Sequence, residues 1–153
     1  MPVRRLTRPR VFVDADVLYA GAASPSSQGA SLVLLRLAEI TLIEALVSKQ
    51  VIVEAERNLQ MKLPAALPAL RMMAARSLRV VDDPKPIALA DYCGCAHPKD
   101  LPILVAALRE ECPWLVTFNV RHYQPGHPDI TVLRPGELLM RVREQLAGLS
   151  PGR

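Results

Sequence analysis

The sequence predicts an α/β fold in three layers, α/β/α, with a mostly parallel central sheet. Three observations carry that prediction. Val11 to Val13, Trp114 to Val116 and Ile130 to Leu133 are short unbroken apolar runs, the pattern of strands buried on both faces. Stretches of helical periodicity separate them, and strands alternating with helices make a parallel sheet covered by helices. The 14 prolines are scattered as punctuation and never form a linker, so the alternation belongs to one domain.

In chain order, Val11–Phe12–Val13 is the first strand, and Asp14 and Asp16 follow where the chain turns into a helix. Gln28 to Glu39 is a leucine-rich helix. Ser48 is the N-cap of a helix that runs to about Leu63, where Pro64 stops it. Winding that helix at about 3.6 residues per turn puts Ile52, Ala55, Leu59 and Leu63 on the packed face, with Val51 alongside. Glu54 then falls at the margin of that face beside Asn58 and Met61, whereas Glu56 lies in solvent with Lys49 and Gln60. A weaker helix, Ala65 to Leu78, carries Pro68 in its first turn and leads into the strand-like Arg79–Val80–Val81. Leu101 to Glu111 is apolar nearly all round, a packed helix with Asp100 just before it and Pro102 in its first turn. Past the last strand, Gly136 to Leu146 carries Leu138, Leu139, Val142 and Leu146 on one stripe.

The chain has 153 residues, half of them apolar and 22% charged. At this length a chain buries roughly 70% of its unfolded surface and folds without disulfides or a structural metal. The apolar content excludes disorder. A membrane span is excluded because Arg36, Glu39 and Glu44 interrupt the most apolar stretch, Leu32 to Val47. Lysine and arginine outnumber the acids by 19 to 15, and Arg4, Arg5, Arg8 and Arg10 crowd the amino end. Residues 1–10 are therefore read as a basic arm, 11–147 as a single domain and 148–153 as a tail. A net charge of +4 is compatible with a polyanionic partner and also with a solvated tail. The arm imitates a secretory signal, but Asp14 and Asp16 sit where such a signal needs its apolar segment. Cys93, Cys95 and Cys112 have no framework spacing, which suits a reducing cytoplasm. Cys93 and Cys95 with His97 nearby offer only three close donors at the wrong spacing for zinc. His122 and His127 fall in a proline- and glycine-containing loop and read as solvated.

In a parallel sheet the chemistry lies outside the carboxyl ends of the strands, near the point where strand order reverses. Asp14 and Asp16 stand there, and two acids so close are costly without a cation. The plainer alternative has Asp16 capping the helix while Asp14 accepts backbone N–H groups. Asp100 has the same two readings, N-cap or site. Glu54 can lean from the margin of its helix into a cleft, or pair along the helix with Arg57 or Asn58. Asn119, two residues after Thr117, lies just past the apolar run at Trp114, and its amide oxygen can ligate a hard cation without bringing charge. Three or four oxygen ligands around an open site are what magnesium or manganese requires.

The segment Phe12–Val13–Asp14–Ala15–Asp16–Val17–Leu18–Tyr19–Ala20 resembles the opening of PIN-domain ribonucleases, which usually reads Asp-Thr-Asn-Val-Leu after a buried strand. Ser48 to Leu59, with Glu54 and Arg57 inside it, is similar to that family's serine-started helix bearing the second acid. His97 to Ala107 is similar to the third-acid segment, and Leu115 to Tyr123 to the strand and turn after it. The four segments occur in order and span roughly Val11 to Leu139. The resemblance implies a PIN-like fold and an endoribonuclease of the VapC-like kind, often the toxin of a type II toxin–antitoxin pair, working with Mg2+ or Mn2+ in the cytoplasm. It makes Asp14, Glu54 and Asp100 the metal-binding carboxylates and gives Asn119 the place where many members have a fourth acid. Asp16 stands where asparagine is usual, and Thr117 has a supporting role. The implied partners are single-stranded or looped RNA, an antitoxin protein covering the cleft, and a second copy of the chain in a homodimer. Because an acidic site repels phosphates, arginines at its rim must attract them, and Arg57, Arg121 and the amino-terminal group are the candidates.

Two other readings remain open at this level. Val11 to Asp16 also resembles the first motif of haloacid-dehalogenase-like phosphatases, with Asp14 as nucleophile and Asp16 as general acid, although the usual threonine after the second aspartate is missing. The other is a PIN-like module that binds RNA or a partner protein without cleaving, motivated by Asn119 and Asp16.

Overall fold

The computed structural model describes residues 8–24 and 29–149. Five parallel strands form one sheet: β1 (Arg10–Val13), β2 (Glu44–Ser48), β3 (Leu78–Val81), β4 (Trp114–Val116) and β5 (Thr131–Leu133). Their order across the sheet is β3-β2-β1-β4-β5. Six α-helices connect or flank them: α1 (Ala15–Ala23), α2 (Ala30–Glu39), α3 (Lys49–Lys62), α4 (Leu67–Ser77), α5 (Leu101–Arg109) and α6 (Pro135–Ala147). Short 3₁₀ turns occupy Pro64–Ala66, Pro86–Tyr92 and Val120–Tyr123.

The sheet explains the apolar runs. Val11, Phe12 and Val13 are fully buried because β1 has a strand on each side and helices against the sheet, and Leu115 and Val116 of β4 are buried for the same reason. The helices fall into two contacting groups. α1 packs against α2, α3 and α4, and α2 also meets α6, whereas α5 packs on β2 and β4. The apolar circumference of α5 follows: Ile103 to Ala107 are all buried.

β2 is the element absent from the expectations above. Its Ala45–Leu46–Val47 run is buried like the others, but it follows the leucine-rich α2 so closely that the two merge into one apolar stretch. The break is a Schellman cap. The N–H of Thr41 donates to the carbonyl of Ala38 and that of Leu42 to Leu37, with Thr41 in the left-handed region at φ 67°. A glycine there would have announced the helix end, and threonine conceals it. In α3, Ser48 caps as expected, its hydroxyl accepting from Val51 N, and Val51, Ala55 and Leu59 are buried. Leu63 differs from expectation: it lies beyond the last turn and is exposed. Glu56 is half-buried and not fully in solvent.

Strand order reverses at β1, where one neighbour is the next strand in sequence and the other is β4. The crevice at the carboxyl ends of β1 and β4 is the switch point of the sheet.

Candidate active site

Asp14 leaves β1 at that crevice. Its backbone N–H still donates to Val116 O at 3.0 Å, and it is the N-cap of α1, with Oδ1 accepting from Ala15 N at 2.7 Å. Its other oxygen, Oδ2, accepts from the Thr117 hydroxyl at 2.8 Å and from the Tyr123 hydroxyl at 2.9 Å. The capping role read for Asp16 therefore belongs to Asp14. Asp16 lies in the first turn of α1, where Oδ2 accepts from Phe118 N at 3.0 Å and lies 3.3 Å from the Thr117 hydroxyl. Thr117 in turn accepts from Asn119 N at 3.0 Å. One fully buried threonine thus ties the end of β4 to both aspartates.

Asp100 precedes α5 but does not cap it with its side chain. It is buried, and Oδ2 lies 3.0 Å from His122 Nδ1. Glu54 is half-buried on α3 and pairs at 3.5 Å with Lys99 Nζ, not with Arg57 or Asn58. Asp14, Asp16, Glu54, Asp100 and Asn119 all line one cavity of about 160 Å³, together with Asn58, His97, Lys99 and His122. Five candidates separated by a hundred residues of sequence are brought together, and Thr117 supports them from beneath.

Other expectations are changed. His122 is not simply solvated, since it holds Asp100, and its ring lies 5.5 Å from that of His97. Tyr123 is a buried site residue that the sequence pattern did not mark; one turn of 3₁₀ helix after Asn119 swings it back under Asp14. Lys99 was also unmarked. Arg57 lines an adjoining cavity of about 560 Å³ that shares Glu54, Asn58 and Lys99 with the acidic one. Arg121 is exposed and outside the lining of either cavity. Arg10 sits at the opposite end of β1, paired with Glu44 and with the Glu110 carbonyl, so it cannot serve the rim. Arg4 and Arg5 lie outside the described residues.

The electrostatics follow from burial. Desolvation pushes the Asp14 carboxyl above its ordinary value, against the hydrogen bonds from Thr117, Tyr123 and Ala15, and the charge of Asp100 adds to the rise. Burial and the neighbouring Asp14 charge push Asp16 up to about 6. Tyr123 is raised by burial and then by the Asp14 charge, so it stays protonated and donates. The Asp16 Oδ1 atom is buried without a hydrogen-bond partner.

An all-oxygen acidic donor set with an orphaned buried carboxylate oxygen fits a hard divalent cation. Among the described residues, however, no three His, Cys, Asp or Glu side chains close on a common point as a metal group. Each candidate carboxylate is turned toward a local partner: Asp14 to Thr117 and Tyr123, Glu54 to Lys99, Asp100 to His122. An ion that takes one or two carboxylates and keeps its waters suits this arrangement better than one caged by protein.

A parallel sheet of this order with acids at the switch point defines an open α/β fold with an acidic site at its crevice, and the comparisons place the chain in a family. The PIN domain model matches residues 10–121, and the chain belongs to that family. The dehalogenase-like reading is thereby overturned. Among solved structures, VapBC2 from Rickettsia felis, bound to a DNA fragment from its promoter, is similar at a TM-score of 0.61 and 15% identity, over 80% of this chain and 96% of that one. VapC20 from Mycobacterium tuberculosis, a toxin that cleaves the sarcin–ricin loop, is similar at a TM-score of 0.55 and 16% identity, over 78% and 98%. No curated protein sequence matches the chain. No helix among the described residues is long and apolar enough to cross a membrane.

Proposed function

We propose that this chain is a metal-dependent endoribonuclease that hydrolyses RNA phosphodiester bonds, and that it is the toxin of a type II toxin–antitoxin pair acting in the cytoplasm. The observation that carries the reading is the convergence of Asp14, Asp16, Glu54, Asp100 and Asn119 on one cavity at the switch point of a PIN sheet. The fold likeness to VapBC2 and VapC20 supports the toxin assignment and an antitoxin partner; an antitoxin tail over the cleft and a homodimer complete the reading.

Asp14, Glu54 and Asp100 would hold Mg2+ or Mn2+ together with its retained waters, and the ion would supply Lewis-acid chemistry when bound. The chain's own residues prepare for it. Thr117 and Tyr123 fix Asp14 Oδ2, His122 fixes Asp100, and Asp16 adds negative charge beside them. Asn119 brings an amide dipole to the mouth without charge. Lys99 and Arg57 offset the repulsion between these acids and the incoming backbone, and an unstacked strand enters such a cleft more readily than a duplex.

One observation favours a second reading, a module that binds RNA without cutting it: the carboxylates do not close on a common point. A mixed RNA pool incubated with the full chain, with and without Mn2+, separates the two. Nuclease function predicts metal-dependent fragments and a loss of at least about 100-fold in Asp14→Asn and Asp100→Asn. Intact RNA bound without metal dependence supports the module.

A further inference from the structure

Lys99 sits on the ridge between two cavities of opposite character. The smaller, of about 160 Å³, is acidic; the larger, of about 560 Å³, is lined by Lys49, Arg57 and Lys99 as well as Glu54 and Asp83. The backbone of Lys99 is pinned on both sides: its N–H donates to His97 Nδ1 at 3.2 Å, and its carbonyl accepts from Gln50 Nε2 at 3.2 Å. Its side chain is the opposite case. The side chain is two-thirds exposed, and the ammonium's ion-pair partner among the described residues is Glu54, at 3.5 Å. In the larger cavity Lys49 is committed to Asp82 at 2.6 Å, whereas no ion pair among the described residues engages Arg57.

We propose that Lys99 is a movable counter-ion. With the acidic cavity metal-free it offsets the charge of Glu54; when a divalent cation takes that carboxylate, the ammonium transfers to the larger cavity and there, with Arg57, binds a backbone phosphate of single-stranded RNA next to the one being cut. The inference rests on the metal-dependent ribonuclease reading and adds a phosphate subsite and a link between metal and RNA binding. A fixed base with a loosely held head is the geometry such a transfer needs. A pair this exposed is weak enough to be displaced.

The test is Lys99→Gln in the full chain, with Lys99→Arg as the charge-preserving variant and Lys85→Gln as a remote control. Mn2+ binding is measured by calorimetry without RNA, and binding of a labelled single-stranded oligoribonucleotide is measured in EDTA and in Ca2+ across a salt series. Loss of the competing ammonium tightens Mn2+ binding about threefold to fivefold in Lys99→Gln. In Ca2+, the same variant binds RNA more weakly, and the log–log salt slope falls by about 0.7, the value for one lost phosphate contact on a single strand. Arg57→Gln lowers the slope by a further ~0.7 when combined with it, and Lys99→Arg restores wild-type behaviour. In EDTA, where Lys99 stays on Glu54, the effect on RNA is smaller than in Ca2+. An unchanged Mn2+ affinity, or a salt slope in Ca2+ the same as wild type, overturns the proposal. A wild-type chain that binds Mn2+ but cuts no RNA overturns the nuclease reading instead, and leaves the counter-ion measured on its own terms.

Discussion

At the scale of single residues, the site is organised by hydroxyl groups as much as by acids. Tyr123 donates to Asp14 from a fully enclosed position, so Tyr123→Phe removes that donor and leaves the ring in place. It is expected to cost about 1 kcal/mol in urea unfolding and about 10- to 100-fold in RNA cleavage, the usual penalty for losing a partner that orients a metal-binding carboxylate. Asp16 makes a prediction of opposite sign. Its folded value is raised to about 6 from an ordinary 3.8, so the folded state holds the proton more tightly. That contribution is fully present below the unfolded value and is lost as pH rises toward the folded one. Asp16→Asn keeps an oxygen for Phe118 N without the charge, and should stabilise the metal-free protein by about 1 kcal/mol at pH 7.5 and have little effect at pH 4. Urea titrations at the two pH values check this. Asp14, Asp16 and Asn119 follow strand ends, Glu54 stands on a helix margin and Asp100 just before a helix, and all of these are places that the sequence pattern marks. Tyr123, His122 and Lys99 were not, because a 3₁₀ turn and an irregular loop carry them, and neither has a period to extrapolate.

At the scale of elements, the sequence pattern located the helices well and four of the five strands, and β2 shows why the remaining one was hidden. Helix ends are read from glycine, and here α2 ends on Thr41 with φ 67°, while α5 ends on Glu111 with φ 55°. The α5 terminus has the same bonding, Glu111 N to Leu108 O and Cys112 N to Ala107 O. Both caps hold a residue with a Cβ where the backbone favours glycine, at a cost of about 1 kcal/mol each. Thr41→Gly is therefore expected to raise unfolding stability by about 1 kcal/mol, and Glu111→Gly by a similar amount, without changing the fold. Denaturant midpoints with unchanged slopes check both.

At the scale of the whole molecule, the acidic cavity is a standing electrostatic cost that a bound cation would relieve. Mn2+ should raise the stability of the chain by about 2.7 kcal/mol at a hundred times its dissociation constant, an increase that EDTA reverses and that Asp14→Asn abolishes. Thermal melts at several Mn2+ concentrations measure it. The hydrogen bonds from Thr117 and Tyr123 to Asp14 have a further consequence, because they span 103 and 109 residues of sequence. Contacts of such separation form late in folding and, on the ribosome, only after nearly the whole domain has emerged. Asp14 is synthesised early, yet it has no fixed orientation until β4 has docked beside β1. A nascent chain stopped between Asp100 and Tyr123 carries Asp14, Asp16, Glu54 and Asp100 without an assembled site, so whatever chemistry the site performs is withheld until synthesis is well advanced.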